Sequence, residues 1–240
     1  MSAPGSMRVV ALVPAAGSGR RLGAGVPKAL VPVLGESLLV RAVRGLLNSG
    51  MIHHVVVAAP PEAPEEVRAE LNPLGPVARV VPGGSDRTES VRLALAEAER
   101  VVPDAGAVLV HDAARAFTPV PVIQDVIRAV EGGARAVVPV LPVADTVKQV
   151  DSSQRVTATV DRSHLRTVQT PQGFAVDTLR AAYDNAGDAA TDDAGLVEQA
   201  GETVTTVPGH AHALKITTAF DLAIAETVLA AEPVPEDDLP

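Results

Sequence analysis

The segment Pro14-Ala15-Ala16-Gly17-Ser18-Gly19-Arg20-Arg21, with Pro27-Lys28 close behind, pairs small residues with fixed positive charge. Small residues let the backbone approach a ligand, and consecutive N–H groups cradle phosphate oxygens. Arg21 and Lys28 add cations, and Pro27 restricts the backbone before the lysine. A plain glycine turn with solvated arginines explains the glycines alone equally well. The added Arg21 and Pro27-Lys28 favour an anion site. Two common phosphate signatures fail on spacing. Gly17, Gly19 and Gly23 give G-x-G-x-x-x-G, one residue too long for the dinucleotide fingerprint, and no G-x-x-x-x-G-K-[ST] is present.

Other segments are weaker alone. Gly83-Gly84 would let the backbone approach a flat base, and Ser90 would hydrogen-bond it. A Gly-Gly turn with Ser85 or Thr88 as helix cap reads as well. In His111-Asp112-Ala113-Ala114-Arg115, the carboxylate suits Mg²⁺ beside a polyphosphate and the arginine suits a phosphate clamp, against a capping aspartate with a surface arginine. Asp145-Thr146, Thr159-Val160-Asp161-Arg162, Gln169-Thr170-Pro171-Gln172, Ala190-Thr191-Asp192 and Leu214-Lys215-Ile216-Thr217 are ordinary turn and strand residues by themselves. The histidines show no H-E-x-x-H or similar cluster, which argues against structural zinc, and no G-x-S-x-G elbow appears.

These residues need elements to hold them. Arg8–Val13 is a continuous β-branched run, the pattern of a strand buried on both faces. Strands are expected again at His53–Ala59, Ala78–Val81, Ala107–Val110 and Ala134–Val140. Helical spacing falls at Leu38–Leu47, Glu65–Leu71, Ser90–Val101 and Val120–Val130. Such alternation implies crossover connections: a mostly parallel, Rossmann-like sheet with helices on both faces. The pattern then changes. Thr146–Val150, Val156–Val160 and Leu165–Thr170 read as an antiparallel excursion, the second with one wet face. Helices are expected at Val176–Asn185, Asp192–Ala200 and Phe220–Ala231, and strands at Thr203–Val207 and Ala213–Ile216. Residues 1–6 form a loose start, and 232–240 a frayed acidic tail.

Composition narrows the class. The chain has 240 residues and a formal charge of −9, so a full core is affordable but a nucleic-acid or anionic-membrane partner is disfavoured. Zero cysteines exclude disulfides, thiolate metal sites and a cysteine nucleophile. The first apolar stretch is a poor signal peptide, and no stretch reaches the ~18 apolar residues of a membrane span. A soluble cytoplasmic protein is expected.

Taken in order, the motifs resemble the 2-C-methyl-D-erythritol 4-phosphate cytidylyltransferase family, over about Val9 to Glu226. The first loop with Pro27-Lys28 is shared with the wider nucleotidyltransferase superfamily. Gly83-Gly84-x-x-Arg87-x-x-Ser90-Val91, His111 to Arg115, Asp145-Thr146, Thr159 to Arg162, Thr170-Pro171-Gln172 and Lys215-Ile216-Thr217 resemble the subfamily. The resemblance implies one nucleotidyltransferase domain over 1–240, a β-arm at about 141–170 and a homodimer of interlocked arms. It implies transfer of CMP from CTP to the sugar phosphate, with release of pyrophosphate and Mg²⁺ as cofactor. Ala15, Ala16, Gly17, Gly84, Ser90 and Asp112 would then hold CTP, with Asp112 also on the metal. Arg21, Lys28 and Lys215 would serve the transferring phosphate. Arg115, Thr146, Arg162, Thr170, Thr191 and Lys215 would contact the acceptor.

Two positions depart from the family pattern. Ala116 stands where proline commonly follows the His-Asp-Ala-Ala-Arg motif, and Ala219-Phe220 replaces a common Pro-Glu. A ribitol-5-phosphate or other polyol-phosphate cytidylyltransferase would share the first loop and the chemistry. A catalytically inert nucleotide-binding module on the same fold is the more distant alternative.

Overall fold

The computed structural model describes residues 7–17, 26–76, 78–185 and 192–231. Through them the chain runs β1 (Arg8–Pro14), β2 (Pro32–Val33), β3 (Glu36–Ser37), α1 (Leu38–Asn48), β4 (His54–Ala59), α2 (Pro64–Leu71), β5 (Ala78–Pro82) and α3 (Arg87–Val101). It continues with β6 (Ala105–Val110), α4 (Val120–Glu131), β7 (Ala136–Pro142), β8 (Val147–Val150), β9 (Val156–Val160), β10 (Arg166–Val168) and β11 (Gln172–Ala175). It ends with α5 (Val176–Asp184), α6 (Asp193–Gln199), β12 (Val204–Pro208) and α7 (Ala219–Ala231).

The β-branched run of β1 forms the middle of the main sheet, parallel to β4 on one side and β6 on the other. β5 extends the sheet beyond β4. Beyond β6, β11 is antiparallel to both β6 and β7, and β12 runs parallel to β7. Strand alternation divides the core. Val9, Ala11 and Val13 pack with α1, α2 and α4 on one face, while Val10 and Leu12 pack with α3, α5 and α6 on the other. A smaller cluster joins Val31, Val33, Leu38, Ala116, Ile216 and Ala225 beneath α7. Because the chain leaves β1 for β4 and later returns to its other side as β6, the carboxyl ends of β1 and β6 flank the switch point where open sheets hold ligands.

Several expectations differ from the structure. Ala213–Ile216 is not a strand. Ala211–Ala213 is a single 3₁₀ turn, and the Ile216 N–H bonds the Ala114 carbonyl at 2.9 Å. Ile216 is apolar because it is buried in the third cluster, not because it joins a ladder. The third strand of the expected arm, Leu165–Thr170, is the shorter β10 and pairs with β7 in the main sheet. The excursion proper is the β8–β9 hairpin. Its second strand has no sheltered face in the chain alone: Val156 to Thr159 are all exposed. β11, the β2–β3 hairpin and the first turn of α3 were not anticipated. β2–β3 turns through Leu34 (φ 47°) and Gly35 (φ 83°), so its first turn residue gives none of the usual Asn-Gly signal. α3 starts at Arg87 because Asp86, rather than Ser85 or Thr88, is its cap and accepts the Glu89 N–H at 2.8 Å. Residues 1–6 and 232–240 lie outside the described residues.

Candidate active site

At the ends of β1, β5 and β6 lies a cleft of about 360 Å³. β1 delivers Ala15, Ala16 and Gly17 to it, and the Lys28 N–H bonds the Gly17 carbonyl at 3.1 Å, closing the loop. β5 delivers Gly84 and the start of α3. β6 delivers Asp112, Ala113 and Ala114. Lys215 enters from the segment between the 3₁₀ turn and α7, whose place beside the β6 loop is fixed by the Ile216–Ala114 bond. Eight residues singled out by the sequence therefore line one cavity: Ala15, Ala16, Gly17, Lys28, Gly84, Ser90, Asp112 and Lys215.

Close packing explains the glycine pair. A Cβ on Gly83 would fall 2.8 Å from the Ala16 Cβ and 2.9 Å from the Ala59 carbonyl, so only glycine lets the two loops meet. Ser90 is buried. Its hydroxyl donates to the Asp86 carbonyl (2.7 Å) and accepts the Gly84 N–H (3.1 Å), which fixes the shape of the Gly-Gly loop.

Asp112 carries the electrostatics. Its Oδ2 lies 2.7 Å from the Lys215 Nζ, and its Oδ1 lies 3.3 Å from the Arg87 Nε. Burial alone would raise its pKa, but the Arg87 and Lys215 charges outweigh burial and hold it below the ordinary carboxylate range. Its N–H donates to the Thr170 hydroxyl (3.0 Å), which lies 3.1 Å from the His111 Nδ1. Burial lowers the pKa of His111 to about 4, so the ring is neutral at pH 7. Thr170 thus supports Asp112 from behind and is not among the cleft-lining residues.

The remaining expected residues sit elsewhere. Arg115 donates from Nη1 to the Ala213 carbonyl (2.6 Å) and from Nη2 to the Val168 carbonyl (3.2 Å), tying the β6 loop to β10 and to the segment that carries Lys215. Thr146 and Arg162 lie exposed at the base of the β8–β9 hairpin, where the Arg162 Nη1 bonds the Val143 carbonyl (3.2 Å). Neither lines the cleft. Arg21 and Thr191 lie outside the described residues. Sequence reasoning missed Arg87 as a site residue, although it quoted Arg87 within the Gly83-Gly84 motif, and it missed the acid behind Arg87, Asp193. The usable signal was an arginine opening a helix three residues after the glycine pair.

Among the described residues no group of three or more His, Cys, Asp or Glu could hold a metal ion. Two carboxylates line the cleft, Asp86 and Asp112, and Asp86 already caps α3 by accepting the Glu89 N–H, which leaves Asp112 as the candidate donor among small residues and cations. That suits a hard ion carried mainly by ligand oxygens and water, and not one caged by protein.

A mostly parallel sheet with small loops and cations converging on the Asp112 carboxylate at its switch point defines a nucleotidyltransferase. The family model described as 2-C-methyl-D-erythritol 4-phosphate cytidylyltransferase matches residues 9–231. The enzyme of that name from Saccharopolyspora erythraea is 75% identical over 224 residues, covering 93% of this chain and 100% of the relative. The one from Nocardia farcinica is 56% identical, covering 92% and 94%. Among solved structures, the Thermus thermophilus enzyme of the same name superposes with a TM-score of 0.77 at 37% identity, covering 94% of this chain and 100% of that one. An Anaerococcus prevotii 4-diphosphocytidyl-2C-methyl-D-erythritol synthase superposes with a TM-score of 0.82 at 26% identity, covering 94% and 99%. The chain belongs to the 2-C-methyl-D-erythritol 4-phosphate cytidylyltransferase family.

Proposed function

We propose that the chain transfers CMP from CTP to 2-C-methyl-D-erythritol 4-phosphate in isoprenoid precursor synthesis. An oxygen of the acceptor phosphate bonds the α-phosphorus of CTP, the bond to the β-phosphate oxygen breaks, and pyrophosphate leaves. A phosphomonoester with a second pKa of ~6 is mostly dianionic at pH 7, so the nucleophile needs no general base. The obstacle is mutual repulsion of two anions and charge building at the α-phosphate, which fixed cations relieve.

The observation that carries this reading is the meeting of Lys28 and Lys215, from opposite ends of the chain, in a cleft walled by small residues together with Asp86, Arg87 and Asp112. In it Ala15, Ala16, Gly17, Gly84 and Ser90 hold the nucleotide, while Arg21, Lys28 and Lys215 serve the transferring phosphate. Asp112 would hold Mg²⁺ together with phosphate oxygens, and the bound ion would neutralise charge on the triphosphate. For the acceptor we assign contacts from Arg115, Thr146, Arg162, Thr170 and Thr191.

Single-chain geometry supports a homodimer joined through the 141–170 region. Val150 and Val156 of the hairpin are 46% and 62% exposed, and Thr146 and Arg162 lie off the cleft, as residues delivered to a neighbouring copy would. The reading takes residues 1–240 as one domain working in the cytoplasm, and no helix of the described residues is long and apolar enough to cross a membrane. Pyrophosphate release with CTP, Mg²⁺ and a panel of polyol phosphates tests it. Release with 2-C-methyl-D-erythritol 4-phosphate and not with ribitol 5-phosphate is expected. The reverse selects the alternative acceptor, and no release with any acceptor leaves a nucleotide-binding module.

A further inference from the structure

Behind Asp112 lies a chain of charged groups that the transfer chemistry above does not use. The Nη2 of Arg87 lies 2.6 Å from the Oδ2 of Asp193, and the Tyr183 hydroxyl donates to the Oδ1 of the same carboxylate at 2.5 Å. Asp193 is 0% exposed and Tyr183 3%. A carboxylate wholly removed from water persists only when each oxygen is partnered, and here one cation and one hydroxyl do this. Arg87 opens α3, Tyr183 lies in the last turn of α5 and Asp193 opens α6, so three helices on one face of the sheet converge on one ion.

The two cations on Asp112 are therefore unlike. Lys215 has a 44% exposed side chain, and Asp112 is its ion-pair partner. Arg87 has a 32% exposed side chain and a second, buried anchor. The guanidinium is a rigid fork able to hold two carboxylates at once, whereas an ammonium on a flexible stem is a point charge that moves. An arriving phosphate can draw the half-exposed Lys215 away while Arg87 still partners Asp112, but drawing Arg87 away would strand Asp193.

We propose that Arg87 is a positioning residue for the transfer reaction: gripped by buried Asp193, it fixes Oδ1 of Asp112, so that Lys215 can leave Oδ2 for the incoming phosphate without the carboxylate turning. This rests on the reading of Asp112 as the residue that faces the nucleotide and its metal ion. Asp193 and Tyr183 act through Arg87, and Arg87 acts through Asp112.

The test is a double-mutant cycle. Asp193→Asn keeps the shape and removes the charge, and Tyr183→Phe removes one hydroxyl. Each variant should melt cooperatively and lose kcat, about tenfold for Asp193→Asn and less for Tyr183→Phe, while the acceptor KM stays within about twofold. Placed in an Asp112→Asn background, either change should alter kcat by less than about twofold, because the group it acts through is already gone. Calorimetry without acceptor gives a second readout: Asp193→Asn should weaken CTP binding in the presence of Mg²⁺ and leave binding in EDTA unchanged. Multiplicative losses in the cycle, or equal weakening with and without Mg²⁺, would mark a merely structural cluster and overturn the proposal. If Asp193→Asn does not fold, Tyr183→Phe carries the same cycle and the same calorimetry. Wild-type kinetics for Asp193→Asn and Tyr183→Phe beside an impaired Asp112→Asn would overturn the Arg87 proposal alone. Wild-type turnover by Asp112→Asn would overturn the reading of the site itself.

Discussion

The Nζ of Lys215 lies 2.7 Å from the Oδ2 of Asp112, joining a segment near the end of the chain to the loop that follows β6. The ion pair holds the lysine at the mouth of the cleft before any phosphate arrives. Lys215→Ala should cut kcat by about 10²–10³, the cost of losing one preorganised charge at a transition state. The melting temperature should fall less than the activity, because the lysine itself is half-exposed and Arg87 still partners the buried Asp112 carboxylate when the lysine is gone. Steady-state kinetics beside a thermal melt separates the two effects. Lys28→Ala should behave alike, and full turnover by it would remove Lys28 from the mechanism.

Gly83 is where two loops touch. Gly83→Ala would drive its Cβ against the Ala16 Cβ and the Ala59 carbonyl, and the latter is backbone that cannot swing aside. Urea unfolding should show a loss of about 1–3 kcal/mol, the usual penalty of overpacking. The CTP KM should rise as the two loops are pushed apart. An unchanged midpoint and KM would mean that the loops are not in contact in solution.

His111 makes stability fall in mild acid. Its folded pKa of about 4 lies below the ordinary 6.5, because burial disfavours the charged ring. Between these values the unfolded chain binds the extra proton, so stability falls as pH drops from 6.5 towards 4 and is fully present above 6.5. The loss amounts to roughly 3 kcal/mol for a group this buried. Urea midpoints at pH 7.5, 6 and 5, with imidazole signals followed by NMR, measure it. An imidazole titrating near 6.5 would contradict the buried neutral ring.

Tyr183 is the single tyrosine of a chain without tryptophan, so absorbance near 295 nm reports its ionisation alone. Burial first, and then the Asp193 carboxylate, raise its pKa above the ordinary 10. Phenolate should therefore appear only as the protein unfolds in alkali. A raised pKa gives stability that is complete below pH 10 and is lost as pH rises beyond it. Ionisation near pH 10 with the fold intact would show that the hydroxyl is not held by Asp193.

The sheet was readable because β1 and β4 are β-branched runs buried on both faces, a pattern with few other solutions. The first loop was readable because small residues and cations occur together there. Lys215 was found through its motif, yet its setting was misread. Leu214 and Ile216 flank it with the spacing of a strand, but burial under α7 accounts for Ile216. Of the Arg87–Asp193–Tyr183 set only Arg87 carried a local signal, its place just after the glycine pair, and nothing linked it to Asp193 and Tyr183. Each member reads as a helix start or a core position, and only the packing of α3, α5 and α6 brings them together. The hairpin misled differently, since alternation along Val156 to Val160 implied a sheltered side that the single chain does not supply.

The Ile216–Ala114 bond has a consequence for synthesis on the ribosome. The cleft loops after β1 and β5, Asp112 and Arg87 are all translated well before Lys215. A nascent chain emerging as far as α6 holds most of the pocket's walls and none of this lysine, so transfer activity is expected to switch on only when the last stretch docks.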